Sequence, residues 1–187
     1  GVFTSGGTAA NLSAIVAARE YWRSLNDQNK VEKGLVITSI GAHSSIKAMA
    51  KVADVDILLV NTEDVMYGDE LQQTIDSLTP HQRKRLFAVV GTGGTTNAGI
   101  IDDLEGIATI CEQENLWFHV DAAYGGGALV ADSVRHLFNG IERADSITID
   151  PHKWMFSPYD CGAVIYKEPE LAKQAHSQEG SYLDIFK

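Results

Sequence analysis

Short, almost continuously apolar runs alternate along this chain with stretches whose apolar residues recur every three or four positions. In TAANLSAIVAAREYWRSL (residues 8–25), Leu12, Ile15, Val16, Arg19 and Trp22 fall at that spacing with alanines between them. The pattern predicts a helix of about four turns. LVITS (35–39), DILLV (56–60), LFAVVG (86–91), LWFHV (116–120), SITID (146–150) and CGAVIYK (161–167) read as strands. Residues 44–52, 68–78 and 103–115 read as helices, the last opened by the acidic pair Asp102 and Asp103. Strands that are apolar throughout, separated by helices, predict an α/β fold with a mainly parallel sheet covered on both faces. The 187 residues suit one domain, with no internal repeat, low-complexity tract or interdomain linker.

Composition narrows the function classes. Fifteen Lys and Arg against 25 Asp and Glu give a net charge of -10. With no basic stripe to offset that charge, nucleic acid is not an expected partner. No apolar run approaches the roughly 20 residues that span a bilayer, and nothing resembles a signal peptide. Cys111 and Cys161 stand singly, without a CxxC or a framework spacing. Such usage suits a reduced, soluble, cytoplasmic protein, and no metal site is expected. The chain starts at Gly1, and its first residues read as the approach to a helix, as in a piece of something longer.

Ligands of a parallel α/β sheet gather at the carboxyl ends of its strands, where several unusual residues of this chain fall. FTSGGTAAN (3–11) sets two glycines and Thr8 before the long helix. Free N–H groups and the positive helix end make such a turn a phosphate cradle, although a plain N-cap would look the same. GTGGTTNAG (91–99) lets a ligand approach the backbone, with Thr95 or Thr96 offering a hydroxyl, or is a surface turn. Asp121 ends the very apolar run LWFHV, so its carboxylate needs a cationic partner, from a structural ion pair or from a ligand. His43 follows another strand, able to stack on a flat ring or to sit satisfied in the core. In DPHKW (150–154), Lys153 is either a solvated loop charge or an amine held in a pocket.

One ligand accounts for the set. Pyridoxal 5′-phosphate carries a phosphate for the glycine turns, a ring for His43, a ring nitrogen for Asp121 and an aldehyde for Lys153. The motifs GVFTSGGTAANL, HVDAAYGGG and DPHKW, in this order, resemble the group II pyridoxal-phosphate-dependent amino-acid decarboxylases, which act on aromatic amino acids, glutamate, histidine and diaminobutyrate. The resemblance runs nearly from end to end. It implies the fold-type I, aspartate-aminotransferase-like large domain and decarboxylation of an L-amino acid to its amine and carbon dioxide through a Lys153 Schiff base. Asp121 would hold the ring nitrogen and His43 would stack on the ring. Gly7, Thr8 and His152 would hold the phosphate, while Thr96 and Ala123 would touch the cofactor. The tyrosine that such enzymes carry in a Tyr-Leu pair beyond the lysine would be Tyr182 of SYLDIF, as proton donor to the substrate carbon. Relatives that form aldehydes often replace this tyrosine or the histidine, and both are present here.

The resemblance has departures and open ends. Gly6, Gly7 and Thr8 stand where many relatives have a Ser-Ala-Ser-like triplet, and Asp150 stands where many have asparagine, placing an extra carboxylate near Lys153. Relatives are more than twice as long, with an N-terminal segment and a C-terminal small domain, and work as homodimers with the active site at the interface. Residues 1–187 would be most of the large cofactor-binding domain, with most substrate-selecting residues elsewhere. An aminotransferase or cysteine desulfurase of the same fold would keep Lys153 and Asp121, and a non-enzymatic phosphate-binding module would need neither.

Overall fold

A computed structural model describes residues 1–25 and 27–177 of the chain. Its strands are β1 (Val2–Thr4), β2 (Leu35–Ser39), β3 (Asp56–Val60), β4 (Leu86–Thr92), β5 (Trp117–Asp121), β6 (Ser146–Ile149) and β7 (Gly162–Tyr166). They form one sheet in the order β1-β7-β6-β5-β4-β2-β3. The run from β6 to β3 is parallel, whereas β7 is antiparallel to both β6 and β1. The helices are α1 (Gly7–Leu25), α2 (Ser44–Val52), α3 (Gly68–Asp76), α4 (Pro80–Arg85), α5 (Leu104–Glu114), α6 (Asp132–Arg135), α7 (Pro151–Trp154) and α8 (Pro169–His176).

Two apolar layers hold the helices to the sheet. On one face Ala10, Ala14, Ala17 and Ala18 of α1 are buried against Val36, Ala88 and Val90, joined by Ile46 and Met49 of α2. Small side chains let α1 lie close to the strands, and Trp22 at its far end stacks on Phe87 with ring centroids 5.4 Å apart. On the other face Leu71 and Ile75 of α3 and Leu104, Ile107 and Cys111 of α5 pack on Ile37, Val89 and Phe118. Strand residues should alternate between these layers, yet Phe87 and Ala88 both join the first one. The register of β4 against β2 shifts between Leu35 and Val36. A bulge of that kind inserts one extra residue and turns two neighbours to one face.

Most predicted elements stand as read from the sequence. The helix over 68–78 is shorter and ends at Asp76, and the final strand is trimmed to Gly162–Tyr166. The chain start, read as the approach to a helix, first forms the edge strand β1. Helices α4 and α8 and the helical turn α7 had no predicted counterpart. PHQRKR in α4 buries no residue, so apolar periodicity could not reveal it; its signals are Thr79 as N-cap, accepting from Gln82 N, and Pro80 at the first helical position.

Candidate active site

Chain order and sheet order part company at β2. Its successor β3 lies on one side, and β4 then returns to the other. A reversal of that kind opens a crevice outside the carboxyl ends of the strands. The loops after β2, β4, β5 and β6 bring His43, Thr96, Asp121 with Ala123, and Lys153 to this crevice, and the N-terminus of α1 closes it. The cleft has a volume of about 480 Å³.

The floor of the cleft is the turn α7. Pro151 fits the first helical position because the missing N–H would have no partner there. Lys153, one turn on from Asp150, places Nζ 3.1 Å from Asp150 Oδ2. The second oxygen of Asp150 is buried and has no hydrogen-bond partner among the described residues. His152 Nδ1 lies 3.1 Å from the amide nitrogen of Cys161, and its Nε2 lies 4.0 Å from Asp150 Oδ2. The ring of His152 meets Tyr159 edge-on at 4.8 Å.

Opposite the floor, α1 points its N-terminus into the cleft. Gly6 adopts φ +140°, a conformation that side-chain-bearing residues rarely take, and its carbonyl accepts from Ala9 N and Ala10 N at 3.1 Å each. The first helical N–H groups, those of Gly7 and Thr8, stay unused by the helix ladder. A Cβ built on Gly7 would lie 2.8 Å from Asp150 Oδ2 and 2.9 Å from Ala123 Cβ. Gly7→Val is therefore expected to push α1 away from the floor and to weaken pyridoxal phosphate binding by about tenfold or more, as read from an absorbance titration. Unchanged affinity would show that this turn does not carry the phosphate.

Asp121 is buried where β5 ends. Its Oδ2 accepts from Asn11 Nδ2 at 2.9 Å and its Oδ1 from the backbone N–H of Ala123 at 3.1 Å. Burial raises its pKa, and these two hydrogen bonds counteract part of the rise. Among the described residues no Lys, Arg or His forms a direct ion pair with Asp121, although longer-range attraction from His43 and Lys153 also lowers its pKa. A buried carboxylate lining a cleft without a counter-ion suits a protonated ring nitrogen. His43 stands exposed at the rim as N-cap of α2, its Nδ1 accepting from Ser45 N at 3.2 Å. The donor set thus fits pyridoxal phosphate: an amine, an uncompensated carboxylate, a flat imidazole and a helix N-terminus that a single Cβ would fill.

Every predicted site residue within the described part lines this one cleft: Gly7, Thr8, His43, Thr96, Asp121, Ala123, His152 and Lys153. Tyr182 lies outside the described residues. Sequence reasoning missed Asn11 and Ser45, which line the cleft, and His119 beneath it. The available signal was an Asn inside an alanine-rich helix and a His inside an otherwise apolar strand.

His119 carries a pH prediction of its own. It is fully buried, and desolvation pushes its pKa from 6.5 down to about 4. The unfolded chain therefore takes up this proton first, so the stability His119 contributes is complete above pH 6.5 and lost as pH falls towards 4. The size is on the order of 3 kcal/mol. Burial raises Asp102 to about 6, which acts in the opposite sense over an overlapping range. The His119 part is thus expected in a difference: the Tm gap between wild type and His119→Gln should shrink as pH falls from 6.5 to 4. Parallel Tm curves would contradict a neutral buried imidazole.

An α/β sheet with these groups at its switch point defines the cofactor-binding core of a pyridoxal phosphate protein. Comparison with known proteins agrees: the pyridoxal-dependent decarboxylase conserved domain matches residues 1–186, and the chain belongs to that family. It is 33% identical over 192 residues to the aromatic-L-amino-acid decarboxylase of Bacillus atrophaeus, covering 98% of this chain and 38% of that protein. It is 37% identical over 193 residues to the aspartate 1-decarboxylase of Aliivibrio fischeri, covering 91% of this chain and 35% of the relative. The crystal structure of Oryza sativa TDC with PLP and tryptamine superimposes with a TM-score of 0.89 at 25% identity, covering 97% of this chain and 39% of that one. The chain thus spans less than two fifths of the length of these relatives.

Proposed function

We propose that this chain is most of the large domain of an enzyme that removes the α-carboxyl group of an L-amino acid, yielding the amine and carbon dioxide. The observation that carries the reading is the pairing across one cleft of an amine, Lys153, with a buried carboxylate, Asp121, that forms no direct ion pair among the described residues. Pyridoxal phosphate, when bound, supplies the carbonyl that links to amines and the electron sink for charge left at the α-carbon.

The residues divide the work. Gly7 and Thr8 N–H groups, aided by the α1 dipole and by His152, receive the phosphate. Asp121 holds the proton of the ring nitrogen at its carboxylate oxygens, in a site where burial strengthens the attraction. His43 would lie against the ring, and Thr96 and Ala123, which line the same cleft, would touch the cofactor. Lys153 Nζ would hold the cofactor through its aldehyde, the bond that a substrate amine would exchange with. Tyr182 donates its hydroxyl proton to the α-carbon as general acid; this assignment rests on the resemblance alone. The ion pair with Asp150 holds Lys153 Nζ at the floor of the cleft.

A homodimer with its active site at the interface belongs to the same proposal. Directly after Lys153, Trp154, Met155, Phe156 and Tyr159 leave apolar side chains exposed, Phe156 completely so, and a second subunit would cover them. Cys111 and Cys161 are free thiols, which suits a cytoplasmic location. Among the described residues no helix is long and apolar enough to cross a membrane. Release of carbon dioxide from carboxyl-labelled amino acids, screened across aromatic, acidic and basic substrates with the full-length enzyme, tests the function. Turnover of one class supports it, whereas keto-acid formation without carbon dioxide would replace it by transamination.

A further inference from the structure

Beneath the cleft runs a chain of polar groups with a single direction. The indole of Trp117 can only donate, and it donates to Ser146 Oγ at 2.8 Å. Ser146 Oγ in turn lies 2.8 Å from His119 Nδ1. His119 Nε2 is 3.0 Å from Asn11 Oδ1, and Asn11 Nδ2 is 2.9 Å from Asp121 Oδ2. Asn11 Nδ2 also reaches Ser45 Oγ at 3.3 Å, which is 2.8 Å from His43 Nδ1.

With Asp121 ionised, the two ends favour one assignment of the protons between them. Asp121, when ionised, accepts only, so Asn11 must turn its NH2 towards it and its oxygen towards His119. His119 is neutral, as its burial requires, and its one proton must then sit on Nε2 to serve that oxygen. Nδ1 is left as acceptor for the Ser146 hydroxyl, whose own oxygen takes the indole proton. The other tautomer would let Nδ1 donate to the Ser146 carbonyl oxygen, 3.1 Å away, but would turn Asn11 Oδ1 against the carboxylate, two acceptors at hydrogen-bond distance. Asn11 has a second NH2 proton, and Ser45 passes its direction on to His43 Nδ1, which leaves Nε2 of that ring as the proton-bearing nitrogen.

We propose that Asn11, oriented by His119, is a positioning residue that fixes the two groups facing the cofactor ring, Asp121 at the ring nitrogen and His43 at the rim. All five side chains of the relay from Trp117 to Asp121 are buried, so none of their hydrogen bonds is exchanged for water. A hydrogen-bonded chain of this kind strengthens each member and holds the last in one geometry. Asn11 acts through its hydrogen bonds to Asp121 and Ser45.

The inference rests on the reading that the cleft takes pyridoxal phosphate, and the test separates the two. Dissociation constants are measured on the full-length apoenzyme for pyridoxal phosphate and for the analogue in which C–H replaces the ring nitrogen. Wild type is expected to prefer the nitrogen-bearing cofactor. Asn11→Leu should reduce that preference by about tenfold, the size of a lost hydrogen bond to a charged group, while affinity for the analogue changes little. His119→Leu should act alike, His119→Gln, which keeps an N–H donor, should restore most of the preference, and the double Leu variant should lose no more than Asn11→Leu alone. Ser146→Ala removes only one hydroxyl and should lower the preference by less; it carries the test if Asn11→Leu fails to fold. Equal weakening of both probes by Asn11→Leu, or a wild-type preference that survives it, overturns the relay alone. A wild type that binds both probes equally overturns the role given to Asp121, and the relay with it.

Discussion

Asp121→Asn is expected to lower carbon dioxide release by the full-length enzyme roughly 10²–10³-fold, the range seen when one preorganised electrostatic group is removed. The carboxamide keeps the shape of the carboxylate and can still accept from the Ala123 N–H. It cannot carry the negative charge that keeps the ring nitrogen protonated, and it sets an NH2 or an oxygen of fixed role against Asn11 Nδ2. The protonated ring is what draws charge from the α-carbon, so the loss falls on turnover more than on cofactor affinity. Steady-state kinetics separate the two. A kcat within a few-fold of wild type would show that Asp121 is an ordinary buried acid satisfied by its two hydrogen bonds.

Lys153→Ala carries the other large effect. It removes the only amine among the described residues that line the cleft and leaves Asp150 Oδ2 without its partner at 3.1 Å. Covalent attachment at this position should disappear entirely, and turnover should fall by about 10³-fold or more, as for other enzymes stripped of their nucleophile. Because the buried Asp150 would then keep only His152 Nε2, 4.0 Å from its Oδ2, some stability should go as well. The double variant Lys153→Ala/Asp150→Asn should recover Tm without recovering activity, which distinguishes loss of chemistry from loss of fold.

Much of the fold could be read from the sequence for a physical reason. A parallel strand between two helical layers is apolar at every position, and LVITS and LFAVVG are buried from end to end. Edge strand β1 offered no such signal, since Val2 and Phe3 are exposed and its three residues are held only by β7. Helix α8 buries Ala172 alone, too little for a visible face.

At the site, the residues legible in advance were those with a chemical reason to stand at a strand end: Asp121 after β5, His43 after β2, Lys153 after β6. The supporting layer was not legible. Asn11 and His119 occupy positions that the apolar pattern assigns to packing, and only the fold brings α1 against β5 so that 108 residues of separation become a 3.0 Å hydrogen bond. For Asp121 the sequence allows two sources of a cationic partner, a structural ion pair or a ligand, and among the described residues no direct ion pair forms. Its satisfaction comes from Asn11 and a backbone N–H, both neutral, which leaves the charge for a ligand.

The central claim is that Lys153 anchors pyridoxal phosphate. The full-length protein is incubated with the cofactor, reduced with borohydride, digested and mapped by mass spectrometry. The account predicts a phosphopyridoxyl group on Lys153, absent from Lys153→Ala. Folded full-length protein that carries the label on other lysines, or on none, would contradict it.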